Sequence, residues 1–550
     1  MKTRTDLWLL VAFCGFLFFY GLGSFGLLGA DEPRYAQVAR EMLDRGDWIT
    51  PTLQGKPWLE KPPLYYWQAM IAYRGGRAFL PAGLLGDGIT DQTARLPSAI
   101  DAALLIVAVY IFLRRFRPES KVDGALIVAG AAGIIGYARA ASPDMPLTAA
   151  FAIALLAWWT WYQDKSRLAL SAFYVFLALA TLAKGPVAPF LAGVVLLIFA
   201  LTSRDWRIIR GTLWIPGIVL YLTVALPWYV AVQLRNPKFF RVFILRHNLG
   251  RFAANLYHHE QPFWYYVPVV LLALVPWALW LIVAIVEKVR IFWTERREAF
   301  ATYEDSFGLY LLIWLLVPVL FFSTSQSKLP GYILPGVPAG ALLVSEYLAI
   351  RRSQESRIST LLAGIHAIIC GGLVLAALLS PTVILNRHLA TGTATYVATA
   401  IGAVVMLGMW ATLRSRVGLR LLRDTTLAAV VLGVAAVLRL AAPTIDAGLS
   451  ARPIAIAVLS FSHEPVPIAV YGTDREQEYG LEFYLNRTVE RYGFGQVPTE
   501  AHVLVASRDQ LERFMTRLAD RKVTYLSRIA AQDLDIYYVS GDSSGASDPR

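Results

Sequence analysis

Charge is what this chain has least of. Only 16% of its 550 residues are Asp, Glu, Lys or Arg against 56% apolar, and its mean hydropathy is +0.50. No soluble domain of this size shows that balance, so the chain reads as a polytopic membrane protein. Cysteine is nearly absent too. Cys14 and Cys370 both lie inside apolar runs far apart in sequence, which excludes a disulfide or thiolate–metal framework. There is no internal repeat of fixed period and no Gly-rich phosphate loop of the Walker or dinucleotide type. The net charge of +12 does not argue for nucleic acid, because the basic residues fall mostly in short loops between apolar runs, where they report topology.

What is present is a long series of apolar runs, near 7–28, 94–113, 124–141, 145–162, 168–183, 185–202, 211–233, 263–286, 307–323, 331–350, 358–384, 391–413 and 425–442. They predict about 13 transmembrane helices over residues 1–442. The first run is longer than a signal-peptide core and lacks a small-residue cleavage site, so it reads as a retained helix. Loops rich in Arg and Lys alternate with loops poor in them and go, with Lys2 and Arg4, to the cytoplasm. The other set, 29–93, 140–146, the Lys184-Gly185-Pro186 turn, 234–262, 324–330 and 385–390, then faces outward. After Pro443 the pattern changes to strand-like stretches (468–471, 503–505, 536–539) around an amphipathic segment from Gln510 to Arg521. That predicts a soluble α/β module over 443–540 on the outer side, with a disordered tail at 541–550.

The outer loops hold the residues that call for a reason. The positive-inside bias disfavours Lys and Arg there, and binding an anion at the outer face would explain them. Loop 29–93 supplies Asp31, Glu32, Arg34, Lys56, Glu60 and Lys61, then Tyr65-Tyr66-Trp67, an aromatic group typical of an interfacial segment. Loop 234–262 supplies Arg246-His247-Asn248, Arg251, His258, His259 and Glu260; shorter loops add Arg139, Asp144, Lys184 and Ser325-Gln326-Ser327-Lys328. Each has a plainer reading. Asp31 can serve as N-cap to an interfacial helix from about Pro33 to Leu43, Lys61 and Arg246 can snorkel to lipid headgroups, Asp144 can sit in a turn, and the histidines can be surface residues. Their concentration on one face favours a site.

At these residues the chain resembles the bacterial lipid A aminoarabinose transferases, within the polytopic GT-C glycosyltransferases that use lipid-phosphate-linked sugars. The matching text is Asp31-Glu32-Pro33-Arg34-Tyr35-Ala36, Arg40-Glu41-Met42-Leu43, Gly46-Asp47-Trp48-Ile49 and Glu60-Lys61-Pro62. Further on it is Lys184-Gly185-Pro186, Arg246-His247-Asn248 and the stretch from Ser327 through Tyr332 to Pro335. The resemblance implies transfer of 4-amino-4-deoxy-L-arabinose from undecaprenyl phosphate to a lipid A phosphate at the periplasmic face of the bacterial inner membrane. Membrane lipids are implied as surroundings, and nucleic acid is not a partner. Asp31 resembles the carboxylate that this class sets against sugar and acceptor, and Asp144 is the second catalytic candidate. Lys61, Arg246, Lys184 and Lys328 are candidates for the two phosphates, with Arg34 and Tyr332 beside them. No cofactor is required by the resemblance; a divalent metal on Glu60, His247 and His258 is the one it allows. A lipid A phosphate is already an anion, so Asp31 is expected to orient a substrate or to stabilise positive charge at the anomeric carbon. The Asp-Glu and Glu-Lys-Pro elements are shared with transferases of other acceptors, where a hydroxyl of protein or another glycan would make the carboxylate a general base. A transporter is disfavoured by the few mid-span charges and the absence of an inverted repeat, and a non-catalytic scaffold would require every loop carboxylate to be dispensable.

Overall fold

The computed structural model describes residues 2–80, 87–250, 261–294, 303–386, 392–461, 466–492, 497–510 and 521–541, with 513, 515, 516 and 518. Among the described residues, nine helices are long and apolar enough to cross a membrane, or up to eleven if each of two bent pairs is one span. The chain is thus a multi-pass membrane protein. The apolar helices Thr5–Phe19 and Val187–Ser203 fall short of that length.

The irregular spans have local causes. The helix Lys2–Cys14 continues as a π-helical turn only to Phe19, and Gly21 at φ +67° turns the chain away, so the predicted run 7–28 is not one helix. The carbonyls freed there are taken by Arg139, which donates to Leu17, Tyr20 and Gly21 at 3.0, 3.0 and 2.8 Å. The run 124–141 splits into segments ending at Ala129 and starting at Ala132 that meet at 61°, and the run 263–286 splits at 116°. The two breaks answer each other, since the Ala132 amide donates to the Val275 carbonyl at 2.9 Å. Pro443 does not end the last span: the helix Gly418–Ala436 runs through a π turn into Ala442–Leu449, where proline occupies the first turn and its missing N–H costs nothing.

Residues 29–80 and 87–93 of the first outer loop form a cap. Its helix, Asp31–Arg45, is longer than the predicted Pro33–Leu43 and stops where Gly46 adopts φ +63°. Glu32, buried near its start, accepts from the Leu28 and Ala141 amides at 2.8 and 2.7 Å and from Arg95 at 2.7 Å. Arg95, only 1% exposed, also donates to the carbonyls of Leu22, Phe25 and Gly26, tying the loop to the span Asp91–Phe116. Tyr65 and Tyr66 do not lie at an interface. Both are 1% exposed and pack edge-on against each other and near Tyr35 in the cap's core. Beyond residue 466 five strands form one sheet. Ile468–Tyr471 pairs in parallel with Val489–Arg491 and His502–Ser507, and the sheet continues antiparallel through Leu534–Val539 to Val523–Ile529. The expected helix between Gln510 and Arg521 falls largely outside the described residues. A helix not anticipated, Arg475–Leu485, packs on Asp31–Arg45.

Candidate active site

Asp31 opens the cap helix without capping it. The N-cap is Ala30, and no side chain caps the helix, so the plainer reading of Asp31 has no support in the geometry. Its carboxylate is 60% exposed and pairs with Arg34 one turn on. The Arg34 guanidinium is largely buried, stacked 5.2 Å from the ring centre of Tyr35, 5.3 Å from Trp58 and 5.8 Å from Tyr479. Burial opposes its charge, but the neighbouring Tyr35, Asp31 and Glu60 outweigh that and hold it protonated above the ordinary arginine range. Burial, with Asp31 adding and Arg34 opposing, pushes the Tyr35 hydroxyl well up, so it stays a neutral phenol. Three buried polar atoms here, Arg34 Nε, Trp58 Nε1 and Tyr66 OH, have no hydrogen-bond partner among the described residues. Such groups are costly unless a ligand meets them.

A tight hairpin delivers Trp58, Glu60 and Lys61. Gln54 and Gly55 both take positive φ (54° and 68°) between the paired Thr52–Leu53 and Lys56–Pro57, and Glu41 accepts from the Thr52 hydroxyl and the Gln54 amide at 2.7 Å each. Asp144, the first residue of the helix Asp144–Asp164, meets Lys184, the last of Arg167–Lys184, with Nζ 2.5 Å from Oδ1. Each terminus suits its charge: a carboxylate at an N-terminus, an ammonium at a C-terminus. Lys184 Nζ also lies 5.3 Å from the ring centre of Tyr332. Gly331 makes the approach possible, because a Cβ there would stand 2.5 Å from Asp144 Oδ1 and 2.7 Å from the Tyr137 hydroxyl.

Lys61, Lys184, His247, Ser325 and Tyr332 line one cavity of about 400 Å³, whose apolar wall includes Leu147, Phe151, Phe190, Leu191, Phe321 and Phe322 from three helices. Residues from five loops predicted to share a face, those holding Lys61, Asp144, Lys184, His247 and Ser325, are thereby brought together. Asp31, Arg34 and Glu60, like Arg246 and Lys328, are not among the residues lining this cavity. Arg246 is exposed, and Lys328 is buried with its ammonium donating to the Ser325 carbonyl at 2.6 Å. Glu60 and His247 approach to 3.7 Å. Among the described residues no three His, Cys, Asp or Glu converge as a metal site, and His258 lies outside the described residues. Two ligands do not make a closed metal site. Trp58 and Arg95 were not among the predicted site residues, and Tyr66 was expected at the membrane interface. For Arg95 the signal existed: an ionisable residue inside an apolar run marks a site or an anchor.

Residues 61–230 match the family described as dolichyl-phosphate-mannose-protein mannosyltransferase. In overall architecture the chain is similar to the crystal structure of ArnT from Cupriavidus metallidurans bound to undecaprenyl phosphate, with a TM-score of 0.74 over 99% of each chain at 22% identity. The apo form of that protein gives 0.73 at the same identity, covering 100% of both chains. The fold is thus the GT-C one that the loop motifs implied. The likeness extends to sequence. The chain is 34% identical over 357 residues to the undecaprenyl phosphate-alpha-4-amino-4-deoxy-L-arabinose arabinosyl transferase of Pseudomonas aeruginosa (strain UCBPP-PA14), covering 64% of this chain and 61% of that one. It is 30% identical over 386 residues to transferase 2 of the same name from Pseudomonas fluorescens (strain Pf0-1), covering 69% and 66%. The match spans about 61% of the length of the first of these relatives, and the resemblance to the aminoarabinose transferases is borne out over that part.

Proposed function

We propose that this chain is an integral membrane glycosyltransferase that moves 4-amino-4-deoxy-L-arabinose from undecaprenyl phosphate to a lipid A phosphate on the periplasmic side of the inner membrane. The observation that carries it is the cavity in which Lys61, Lys184 and His247 meet apolar walls from three helices beside Asp144. A polyprenyl phosphate needs that combination: an apolar groove for its tail and cations at its headgroup. In the reaction the bond from the anomeric carbon to the donor phosphate breaks, undecaprenyl phosphate leaves with the electron pair, and a lipid A phosphate oxygen supplies the pair for the new bond. No proton has to be removed from the acceptor. Asp31, exposed and aimed by Arg34, is assigned to the positive charge that develops at the anomeric carbon or to the amino group of the sugar. The relatives' names and the fold support the donor; lipid A as acceptor is the finer part of the reading.

The same reading takes Thr5–Phe19 and Val187–Ser203 as further spans, giving thirteen with the nine long helices and the two bent pairs. The sheet after residue 466 is then periplasmic, as is the site. No metal is needed. Chelation should leave turnover unchanged, and its loss would assign a divalent ion to Glu60, His247 and His258. The matched mannosyltransferase family favours one alternative, a hydroxyl acceptor with Asp31 as general base. Mass spectrometry of lipid A from cells with and without the gene separates the two. Aminoarabinose added to lipid A phosphate is expected, and unchanged lipid A with a newly glycosylated protein would favour the alternative.

A further inference from the structure

The C-terminal module reaches the site through one aromatic ring. Of the three rings stacked on Arg34, Tyr35 and Trp58 belong to loop 29–93, whereas Tyr479 comes from the helix Arg475–Leu485. That helix is firmly seated. The Tyr484 hydroxyl donates to Asp91 Oδ1 at 2.5 Å and accepts from the Leu27 amide at 2.7 Å, and Arg40 donates to the Phe483 carbonyl at 2.5 Å. Arg452, on the neighbouring helix Arg452–Phe461, pairs with the same Asp91 and with Asp446 at 2.9 and 2.7 Å. Tyr479 is therefore held against the cap helix.

Arg34 needs such a neighbour. A free arginine side chain samples many rotamers, and a carboxylate paired with it would share that disorder. Its hydrogen bonds to Asp31 and Tyr35 do not complete its fixation, because its buried Nε has no partner among the described residues. Flat ring faces around a desolvated guanidinium limit its plane and height. We infer that Tyr479 is a positioning residue for Asp31: it closes the ring cage on Arg34, and the caged guanidinium fixes where the Asp31 carboxylate points. This assigns the C-terminal module a part in the chemistry without contact with substrate, and it rests on the transferase reading above.

The test uses the full-length protein in detergent–lipid micelles with Tyr479→Leu, which keeps apolar volume and loses the π face, and Tyr479→Phe, which keeps the face and loses the hydroxyl. Tyr479→Leu should lower kcat about fivefold with the donor KM within about twofold and an unchanged melting temperature; Tyr479→Phe should restore kcat. Hydrogen exchange of the peptide 28–45 should speed up in Tyr479→Leu alone. Parental kcat in Tyr479→Leu, equal loss in both variants, or a fall in kcat without faster exchange would each overturn the inference. A parent protein that transfers no sugar would count against the transferase reading, and the exchange measurement would still decide the cage.

Discussion

Asp31 and Glu32 are neighbours with opposite fates. Glu32 is buried and spends its oxygens on two amides and Arg95, whereas Asp31 stays exposed beside Arg34. Asp31→Asn should therefore abolish transfer while leaving the melting temperature of the purified protein within a degree or so, since an exposed side chain contributes little to packing. Wild-type turnover in that variant would remove Asp31 from the mechanism. Lys61→Ala and Lys184→Ala each remove a cation from the cavity and should weaken undecaprenyl phosphate binding by about tenfold, read by titration of the lipid. Arg246→Ala should weaken it less, because that side chain lies outside the cavity lining. Legibility at this scale followed charge. Lys61, Asp144, Lys184 and His247 stood out as ionisable residues on an outer face; Trp58 did not, because an aromatic next to a membrane loop looks the same whether it faces lipid or a guanidinium.

Helices and turns put these groups in reach of one another. The Asp144–Lys184 pair depends on two helix ends and on the missing side chain of Gly331. Gly331→Ala should force its Cβ into Asp144 and Tyr137, and a fall in kcat of about tenfold or more with an intact far-ultraviolet spectrum is expected. If Gly331→Ala turns over like the parent, the pair has room to move and its geometry is not critical. Arg95 belongs to this scale as well. Arg95→Ala would leave Glu32 buried without its cation and three carbonyls unmet, a loss of about 3–5 kcal/mol that should appear as a large drop in the melting temperature in detergent. The long apolar spans were readable from hydropathy alone. Their breaks were not, because the split at Gly130-Ala131 exists only with Val275 opposite to take the freed amide.

Across the whole molecule, the chain's far end returns to its beginning: Gly26, Leu27, Arg34, Arg40, Gln54 and Asp91 all touch residues beyond 445. Strands of the C-terminal sheet were legible from their alternation, but its seat on the cap helix was not, because the contacts join residues hundreds of positions apart. One of them titrates. Burial, opposed by the Gln54 hydrogen bond and reinforced by Glu478, pushes the Glu482 carboxyl up from its ordinary 4.5 to about 7. A carboxyl raised in the folded state favours folding only while it is protonated there. The seating of the helix Arg475–Leu485 should then weaken as pH rises from about 4.5 to about 7 and level off above that. Glu482→Gln should flatten this profile, followed as hydrogen exchange of the helix Arg475–Leu485, and an unchanged pH dependence would place the titration elsewhere.

The proposed reaction is sugar transfer from a polyprenyl phosphate, with Lys61 and Lys184 lining the cavity and Asp31 and Asp144 as the carboxylates. Its most direct test gives the purified protein undecaprenyl phosphate-linked aminoarabinose and lipid A, and follows the masses of both lipids, with Asp31→Asn in parallel. The account predicts that lipid A gains the sugar as undecaprenyl phosphate is released, and that Asp31→Asn does neither. Equal transfer by both proteins, or none by the parent while the donor is bound, would contradict it.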